Sequence, residues 1–444
     1  MELHVYGENL AAAAFSFNAH KDGFAPILMS EKKVNTQFSG IEFAHQRVDR
    51  GMVFVEPHRP KDLEIDISLY SGQFRSKSLG YLHHVTRWLD SLGDVLADAQ
   101  VETLFRGQRY SDIFISDQMA ALDGLTSQEK RQAKSEIENN LKVKSVIHPK
   151  FKNTDSWYAR SRFYEASIST VGETISSHFF KPYLVKLHGR EFENLIASEH
   201  RSSWVPIYYP ESVLAWFQGF ETNIDEKKFK YPEAGSFAGS LFKLEKYLDQ
   251  NFEKRPDDFD SVWSLREDEK TQYKRIYFGS SKRLKPIETF RTTLTVGRSV
   301  YLRALENRIY TLFIIDNKFA AFRINQRPMS NGSGSSVCIE FGASSSHLSS
   351  DELIMESKKL CEYLEIDIDP KLSEVVESRY PLRIEQSNSL IKDLEANIEL
   401  LHRRNYLGYP INELNGSIND QICNALAVNY QLNVKNMENN YESR

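Results

Sequence analysis

The first residues whose types and spacing suggest chemistry follow a short apolar run that ends at Tyr6. Dinucleotide-binding turns place small residues after their first strand: one for a sharp turn, one where the backbone approaches a pyrophosphate, and one for helix packing. Those positions hold Gly7, Asn9 and Ala12 in this chain. Ala12 is an accepted variant, whereas Asn9 places a side chain where the phosphates would come nearest. The turn therefore matches a nucleotide-binding pattern with its most demanding position altered.

An acidic residue follows the second apolar run, where dinucleotide-binding folds bind a ribose. That run ends at Met29 and is followed by Ser30 and Glu31. An acid roughly 20 residues beyond the glycine turn commonly accepts hydrogen bonds from ribose hydroxyls, so Glu31 is a candidate ribose ligand. A unit of the same shape that binds no nucleotide is the alternative.

Strong helix formers join these two apolar runs. Ala11 to Ala14 are small enough to pack against a sheet, and Gly23 stands where the helix would end. Strand, turn, helix and strand in this order predict a doubly wound α/β unit with parallel strands.

Two other kinds of segment follow along the chain. Residues 85–200 are charged and helix-like, with a capping box from Thr126 to Glu129. Residues 285–342 are rich in β-branched and aromatic types, which indicates a sheet. A second capping box from Ser349 to Glu352 predicts a further helix.

Composition and charge argue against disordered, collagen-like and nucleic-acid-binding proteins. The chain has 444 residues, of which 41% are apolar, 26% charged and 12% aromatic, as in ordinary globular proteins. Its net charge of -5 provides no general positive field for nucleic acid, so we expect no nucleic-acid partner.

Cysteine usage and hydropathy indicate the compartment. Cys338, Cys361 and Cys423 are far apart and form no CxxC pair, which argues against a disulfide framework or a structural zinc site. No apolar stretch approaches the roughly 18 residues of a spanning helix, and the N-terminus lacks the pattern of a signal peptide. We therefore expect a cytoplasmic protein with no metal and no membrane span.

Several segments along the chain form an ordered pattern. They include Asp49 and Gly51 two apart before an aromatic residue, and Arg323 in a strand-like run. The segments are residues 5–31, 48–54, 178–183, 229–237, 290–295, 322–325, 403–408 and 416–422. Together they resemble the flavoprotein superfamily of FAD-dependent amine oxidases, protoporphyrinogen oxidases and UDP-galactopyranose mutases. The segment with Arg323 looks most like the mutase branch and its sugar-active relatives.

The resemblance implies an α/β fold with a discontinuous Rossmann-like FAD/NAD(P)-binding domain, a helical insertion and an antiparallel substrate-domain sheet. The dinucleotide-binding domain would comprise residues 1–80, 211–300 and 386–444, the last with the C-terminal flavin motif. The helical insertion would span residues 81–210, and the substrate-domain sheet and helix would span residues 301–385.

The resemblance also implies the residues of a site. Arg323 would act at the catalytic site by binding an anionic substrate group, because guanidinium forks bind phosphate bidentately; a strand-surface salt bridge is the alternative. The helix beginning near Gly416 would direct its positive end toward the flavin, with an ordinary helix cap as the alternative. The implied FAD-binding residues are Gly7, Asn9, Leu10, Ala12, Glu31, Gly51, Gly408, Gly416, Ser417 and Ile418.

Functions of different classes stay open at the level of sequence. The first is an FAD-dependent enzyme, an oxidoreductase or a nucleotide-sugar mutase, with a nucleotide-sugar or an amine as substrate and a homodimer as one oligomeric state. The second is a flavin-fold protein that has lost FAD and acts in binding or scaffolding. Its motivation is that Asn9 and the missing glycine pair at residues 33–37 lie where the family holds the FAD pyrophosphate. The third is a protein of the same fold that binds a nucleotide other than FAD.

Overall fold

The computed structural model describes residues 2–30, 38, 40–55, 88–115, 119–142, 161–197, 203–206, 208, 210–220, 229–260, 274–280, 284, 290–330, 332–386, 390–408, 421–422, 424–426, 428–429 and 432–433.

Eight α-helices lie within these ranges. They are α1 (Leu10–Lys21), α2 (Ser127–Lys142), α3 (Phe163–Ile175), α4 (Lys181–His188), α5 (Pro210–Phe217), α6 (Phe237–Asn251), α7 (Ser350–Tyr363) and α8 (Leu390–Arg403). A π-helical turn at Ser176–Phe180 joins α3 to α4, and 3-10 turns lie at Met119–Gly124, Gly189–Asn194 and Ala343–Ser345.

Sixteen strands accompany these helices in the same ranges. They are β1 (Glu2–Tyr6), β2 (Ala25–Met29), β3 (Ile41–Phe43), β4 (Gln46–Val48), β5 (Leu96–Asp98), β6 (Gln100–Phe105), β7 (Gln108–Ser111), β8 (Lys230–Pro232), β9 (Lys254–Arg255), β10 (Lys274–Tyr277), β11 (Phe290–Ala304), β12 (Tyr310–Ile314), β13 (Arg323–Pro328), β14 (Ser335–Phe341), β15 (Ile368–Gln386) and β16 (Tyr406–Gly408).

A five-stranded parallel sheet contains the predicted N-terminal unit. Its order is β16-β10-β1-β2-β9, so it combines both halves of the chain. Ala11 to Ala14 of α1 are fully buried in one core with sheet residues such as Val5 and Ile276. Gly23 follows the helix with a φ of 85°. The predicted strand-helix-strand unit and the discontinuous Rossmann-like domain are therefore confirmed.

A second sheet of seven strands carries most of the remaining strand structure. Its order is β15-β11-β14-β13-β12-β6-β7, and every pair except the parallel β12 and β6 is antiparallel. The β-rich region predicted between 285 and 342 supplies four of these strands, β11 to β14. Strands β6 and β7 come from the region that we expect to be a helical insertion, which also contains α2 to α5. The predicted α/β class with an antiparallel sheet is confirmed.

Both predicted capping boxes start helices. The Thr126 hydroxyl accepts from the Glu129 N–H at 3.2 Å, and the Glu129 carboxylate accepts from the Thr126 N–H at 2.7 Å. Ser349 and Glu352 make the same reciprocal pair at the start of α7. None of the helices in the described ranges has both the length and the apolar character needed to cross a membrane.

Candidate functional site

The amino terminus of α1 lies directly after β1, at the turn predicted to bind nucleotide. Asn9 is the N-cap residue, and its side-chain oxygen accepts a hydrogen bond from the Ala12 N–H at 3.1 Å. The Asn9 amide nitrogen donates to the carbonyl oxygen of Phe278 at 2.6 Å. Leu10 and Ala12 are fully buried in the core. The Asn9 side chain is thus held at both of its polar atoms, across the first turn of the helix.

Two further side chains make polar contacts at this edge of the sheet. The side-chain oxygen of Gln421 accepts a hydrogen bond from the Ala11 N–H at 3.3 Å. Ser30, just beyond β2, donates to the Glu8 carboxylate at 2.6 Å. Because β1 and β2 are parallel neighbours, the Ser30 to Glu8 contact spans their carboxyl ends, where open α/β sheets bind ligands.

Two predicted cofactor-binding glycines serve close backbone packing at the same edge. A Cβ on Gly7 would lie 3.0 Å from the backbone of Phe278, and its φ is 144°. A Cβ on Gly408 would lie 2.1 Å from the carbonyl oxygen of Tyr277, and its φ is 128°. Both positions therefore require glycine whether or not a ligand is present.

A buried ion pair lies on the second sheet. Arg323 on β13 is paired with Glu340 on β14, and its Nε and Nη2 atoms donate to the carboxylate at 2.7 and 2.8 Å. The side chains are only 4% and 2% exposed. Burial alone lowers the pKa of Arg323, but the charge and hydrogen bond of Glu340, with smaller contributions from Tyr183 and Tyr380, together raise it, so the guanidinium stays charged. Arg323 thus forms a salt bridge, but in the interior and not at a strand surface.

Other groups converge on the same carboxylate. Asn325 donates to Glu340 at 2.7 Å and the Tyr380 hydroxyl donates at 3.3 Å. Gly51 approaches from the first part of the chain, and a Cβ there would lie 3.2 Å from Oε2 of Glu340. The structure therefore brings together two predicted site residues, Gly51 and Arg323, around a third residue that the sequence did not identify.

Two buried donors beside this ion pair have no hydrogen-bond partner within the described ranges: Nη1 of Arg323 and the hydroxyl of Tyr183. The Tyr183 ring lies 5.6 and 5.7 Å from the rings of Phe313 and Phe322. The Arg323 guanidinium lies over the same two rings, at 5.8 and 5.2 Å. Burial raises the pKa of Tyr183, so its hydroxyl stays protonated and can donate.

A second buried cluster forms around Asp49. Its carboxylate accepts hydrogen bonds from the Tyr231 hydroxyl and from the N–H groups of Phe237 and Ala238 at the start of α6. The Arg327 guanidinium lies 4.8 Å from the centre of the Tyr231 ring. Burial raises the pKa of Asp49, and its hydrogen bonds and the Arg327 charge offset only part of that effect.

A chain of hydrogen bonds joins the two clusters. Arg327 donates to the Thr311 hydroxyl at 2.7 Å, which donates to Asn325 at 2.9 Å, and Asn325 in turn contacts Glu340. The network holds two guanidinium groups against one ion-paired carboxylate and against Asp49, whose pKa is raised.

The predicted site residues fall into three sets. Gly7, Asn9, Leu10, Ala12 and Gly408 lie at the carboxyl edge of the parallel sheet, and Gly51 and Arg323 lie around Glu340. The remaining predicted residues lie outside the described ranges: Glu31, Gly416, Ser417 and Ile418.

Sequence reasoning missed Glu340, Tyr183 and Gln421. Glu340 stands alone among apolar residues in the run 337–341, which is a signal for a buried partner. Tyr183 carries no local signal, because the chain has 21 tyrosines.

Comparison with solved structures covers nearly the whole chain. A crystal structure of reduced UDP-galactopyranose mutase matches with a TM-score of 0.57 at 13% identity, over 98% of this chain and 94% of that one. The chain has the fold of the FAD-dependent amine oxidase-like superfamily. Cyclohexylamine oxidase from Brevibacterium oxydans matches with a TM-score of 0.53 at 10% identity, over 97% of this chain and 99% of that one.

A candidate protoporphyrinogen oxidase from Exiguobacterium has the same fold. It matches with a TM-score of 0.51 at 11% identity, over 98% of this chain and 99% of that one. No protein-family model matches the chain, and no curated protein does. The structural matches confirm the fold that the ordered segments imply.

FAD is the cofactor that this fold implies, with its pyrophosphate at the amino terminus of the first helix. The residues at that terminus do not fit a pyrophosphate. Asn9 and Gln421 already accept hydrogen bonds from the N–H groups of Ala12 and Ala11, and the Glu8 carboxylate adds like charge at the same edge. The function proposed below therefore does not depend on FAD.

Proposed function

We propose that the protein binds a small anionic molecule at the Arg323 cluster, which comprises Arg323, Asn325, Glu340, Tyr183 and Tyr380. The observation that carries the proposal is the pair of buried donors, Nη1 of Arg323 and the Tyr183 hydroxyl, beside the same two phenylalanine rings. Leaving a buried donor unpaired costs about 1–3 kcal/mol. An oxygen acceptor on a ligand would remove that cost for both groups.

The two unpaired donors support an anion over an amine. As donors, Nη1 of Arg323 and the Tyr183 hydroxyl need acceptor atoms, and an ammonium group offers only donors. A phosphate or carboxylate oxygen would accept from both groups, so a phosphate-bearing sugar nucleotide is a better candidate than an amine.

A ligand at these groups would be largely enclosed by the protein. Arg323 is 4% exposed and Tyr183 is fully buried. Small-molecule sites bury most of the ligand surface and fix its orientation with a few polar groups. The phenylalanine rings of Phe313 and Phe322 would supply the apolar walls, and the two donors the orientation.

A thermal-shift screen tests the anion site. The probes are inorganic phosphate, UDP and UDP-galactose as anions, and putrescine and cyclohexylamine as amines. We expect the anions to raise the melting temperature in proportion to their affinity. Tyr183→Phe should weaken anion binding about 10- to 100-fold, because a hydrogen bond to a charged group contributes roughly 1.5–3 kcal/mol.

The control is Tyr310→Phe. Tyr310 is a buried tyrosine on the sheet that carries Arg323, and its hydroxyl donates to Glu102 at 2.8 Å. It should leave anion affinity unchanged. Stabilisation by the amines alone, or anion binding that is equal in Tyr183→Phe and the parent, would contradict the proposal.

A second candidate function is an FAD-dependent oxidoreductase or nucleotide-sugar mutase. The observation that favours it is the near-complete overlap with a mutase and an amine oxidase structure, although fold alone does not fix function. An absorbance spectrum of freshly purified protein separates the candidates. Bands of a bound flavin would support this second candidate, and a protein that stays colourless after soaking with FAD would contradict it.

The location and assembly are also proposals. The buried thiols of Cys338 and Cys361 support a reducing compartment such as the cytoplasm. A homodimer is the proposed oligomeric state, which sedimentation would detect as a doubled mass. The division of the chain at residues 80, 210, 300 and 385 remains a proposal as well.

A further inference from the structure

We infer that side chains of this protein close the nucleotide cradle at the amino terminus of α1, so that the protein holds no FAD there. The inference goes beyond the proposed anion site, which lies on the other sheet, and it is tested by a separate measurement. It assigns Asn9 and Gln421 the role of occupants of the positions that a pyrophosphate takes in a dinucleotide fold.

The N–H groups in the first turn of α1 are already occupied by hydrogen-bond acceptors of this chain. A helix leaves its first N–H groups without intrahelical partners, and these groups bind the phosphates of nucleotides. In α1 the Ala13 N–H donates to the backbone of Asn9. The Ala12 and Ala11 N–H groups donate to the Asn9 and Gln421 side chains. Two of the groups that would bind a pyrophosphate are therefore already satisfied.

Two hydrogen bonds hold the Asn9 side chain across the start of α1. Asn9 donates to the Phe278 carbonyl at 2.6 Å, and Gly7 packs its backbone against the same residue. To admit a phosphate, the Asn9 side chain would have to break its contacts with both Ala12 and Phe278. Binding would therefore lose at one residue much of what it gained at the helix terminus.

The Glu8 carboxylate adds a negative charge beside the start of α1. Glu8, directly before Asn9, accepts a hydrogen bond from Ser30 across the carboxyl ends of β1 and β2. A carboxylate at this edge repels a pyrophosphate, and its contact with Ser30 holds it at the carboxyl ends of β1 and β2. The caps formed by Asn9 and Gln421, the anchoring of Asn9 on Phe278 and the charge of Glu8 therefore all oppose the binding of a pyrophosphate.

Equilibrium dialysis of the full chain against excess FAD tests this inference. We expect the parent protein to be colourless after purification and to bind no measurable FAD. Asn9→Gly removes the cap and supplies the residue type that the fold uses at this position, and it should gain FAD binding. Adding Gln421→Ala should tighten binding about 10- to 100-fold further, the worth of one freed charge-assisted hydrogen bond.

Two variants serve as controls. Ser349→Gly removes an equivalent N-cap from α7, where Ser349 accepts from the Glu352 N–H, and should not gain FAD binding. Asn9→Asp keeps a good helix cap and adds negative charge, and should also stay free of FAD. Far-UV circular dichroism establishes that each variant retains the parent's helix content.

Two outcomes would overturn the inference. One is a parent protein that carries or takes up FAD. The other is a folded Asn9→Gly, Gln421→Ala double variant that still binds none, because the closure would then not be what excludes the nucleotide. Neither outcome bears on the anion site, which is read from phosphate-induced stabilisation in Tyr183→Phe.

Discussion

At the scale of single residues, the pairing of Arg323 with Glu340 shows how two charges can be buried together. Each charge costs several kcal/mol to remove from water, and their contact offsets that cost only while both are present. Asn325 and Tyr380 satisfy further oxygen positions on the carboxylate. The stability of the sheet therefore depends on the pair and not on either residue alone.

Replacing one member of the pair should be more damaging than replacing both. We expect Glu340→Gln to lower the free energy of unfolding by about 3–5 kcal/mol, because it leaves a buried guanidinium without its counter-charge. The double variant Arg323→Met, Glu340→Leu should lose less stability than Arg323→Met or Glu340→Leu alone, and so less than their sum. Urea unfolding followed by tryptophan fluorescence measures all of them. Additive losses would show that the two residues are energetically independent.

At the scale of elements, the sequence predicts those features that local signals specify. The capping boxes at Thr126 and Ser349 lie at the starts of α2 and α7, and the turn at Gly7 follows β1. The partner of Arg323 could not be predicted, because it depends on the register between β13 and β14. Gln421 reaches Ala11 across 410 residues of sequence, a distance over which no local pattern carries information.

The break in α3 is a second feature that needs the tertiary structure. Gly172 has a φ of 89° inside the helix, and a Cβ there would lie 2.5 Å from Oε2 of Glu136. Glu136, from α2, accepts from the N–H and hydroxyl of Thr174 at 2.8 and 2.9 Å. A carboxylate from one helix thus replaces the backbone acceptors that the next helix loses at its break.

Substitution of Glu136 tests this contact between helices. Glu136→Ala should lower the free energy of unfolding by about 1–2 kcal/mol, the cost of losing a helix cap. Glu138→Ala is the matched control, because Glu138 lies on the same helix and only meets Lys134 at 4.0 Å on the surface; it should change stability by less than about 0.5 kcal/mol. Equal effects of the two substitutions would show that Glu136 does not act as a helix cap.

At the scale of the whole molecule, His188 joins α4 to the distant strand β11 and to the segment around Ser203. It ends α4, its Nδ1 atom lies 2.8 Å from the Thr295 hydroxyl on β11, and its Nε2 atom lies 2.8 Å from the Ser203 hydroxyl. Because Thr295 donates its proton to the Tyr380 carbonyl, it accepts from Nδ1–H, and Nε2 accepts from Ser203. A neutral imidazole fits this arrangement, and a protonated one would lose its contact with the Ser203 proton.

Acid should therefore weaken the whole molecule through this one residue. Burial lowers the pKa of folded His188 to about 3, from an ordinary value of 6.5. The folded state binds fewer protons than the unfolded chain between these values, so this stabilisation is complete above about pH 6.5 and is lost as the pH falls toward 3. The loss should approach about 1.4 kcal/mol per pH unit. We expect His188→Gln to be less stable than the parent at neutral pH but to lack this slope in urea unfolding between about pH 7 and pH 4.5. Equal slopes in the two proteins would assign the acid sensitivity to carboxylates elsewhere.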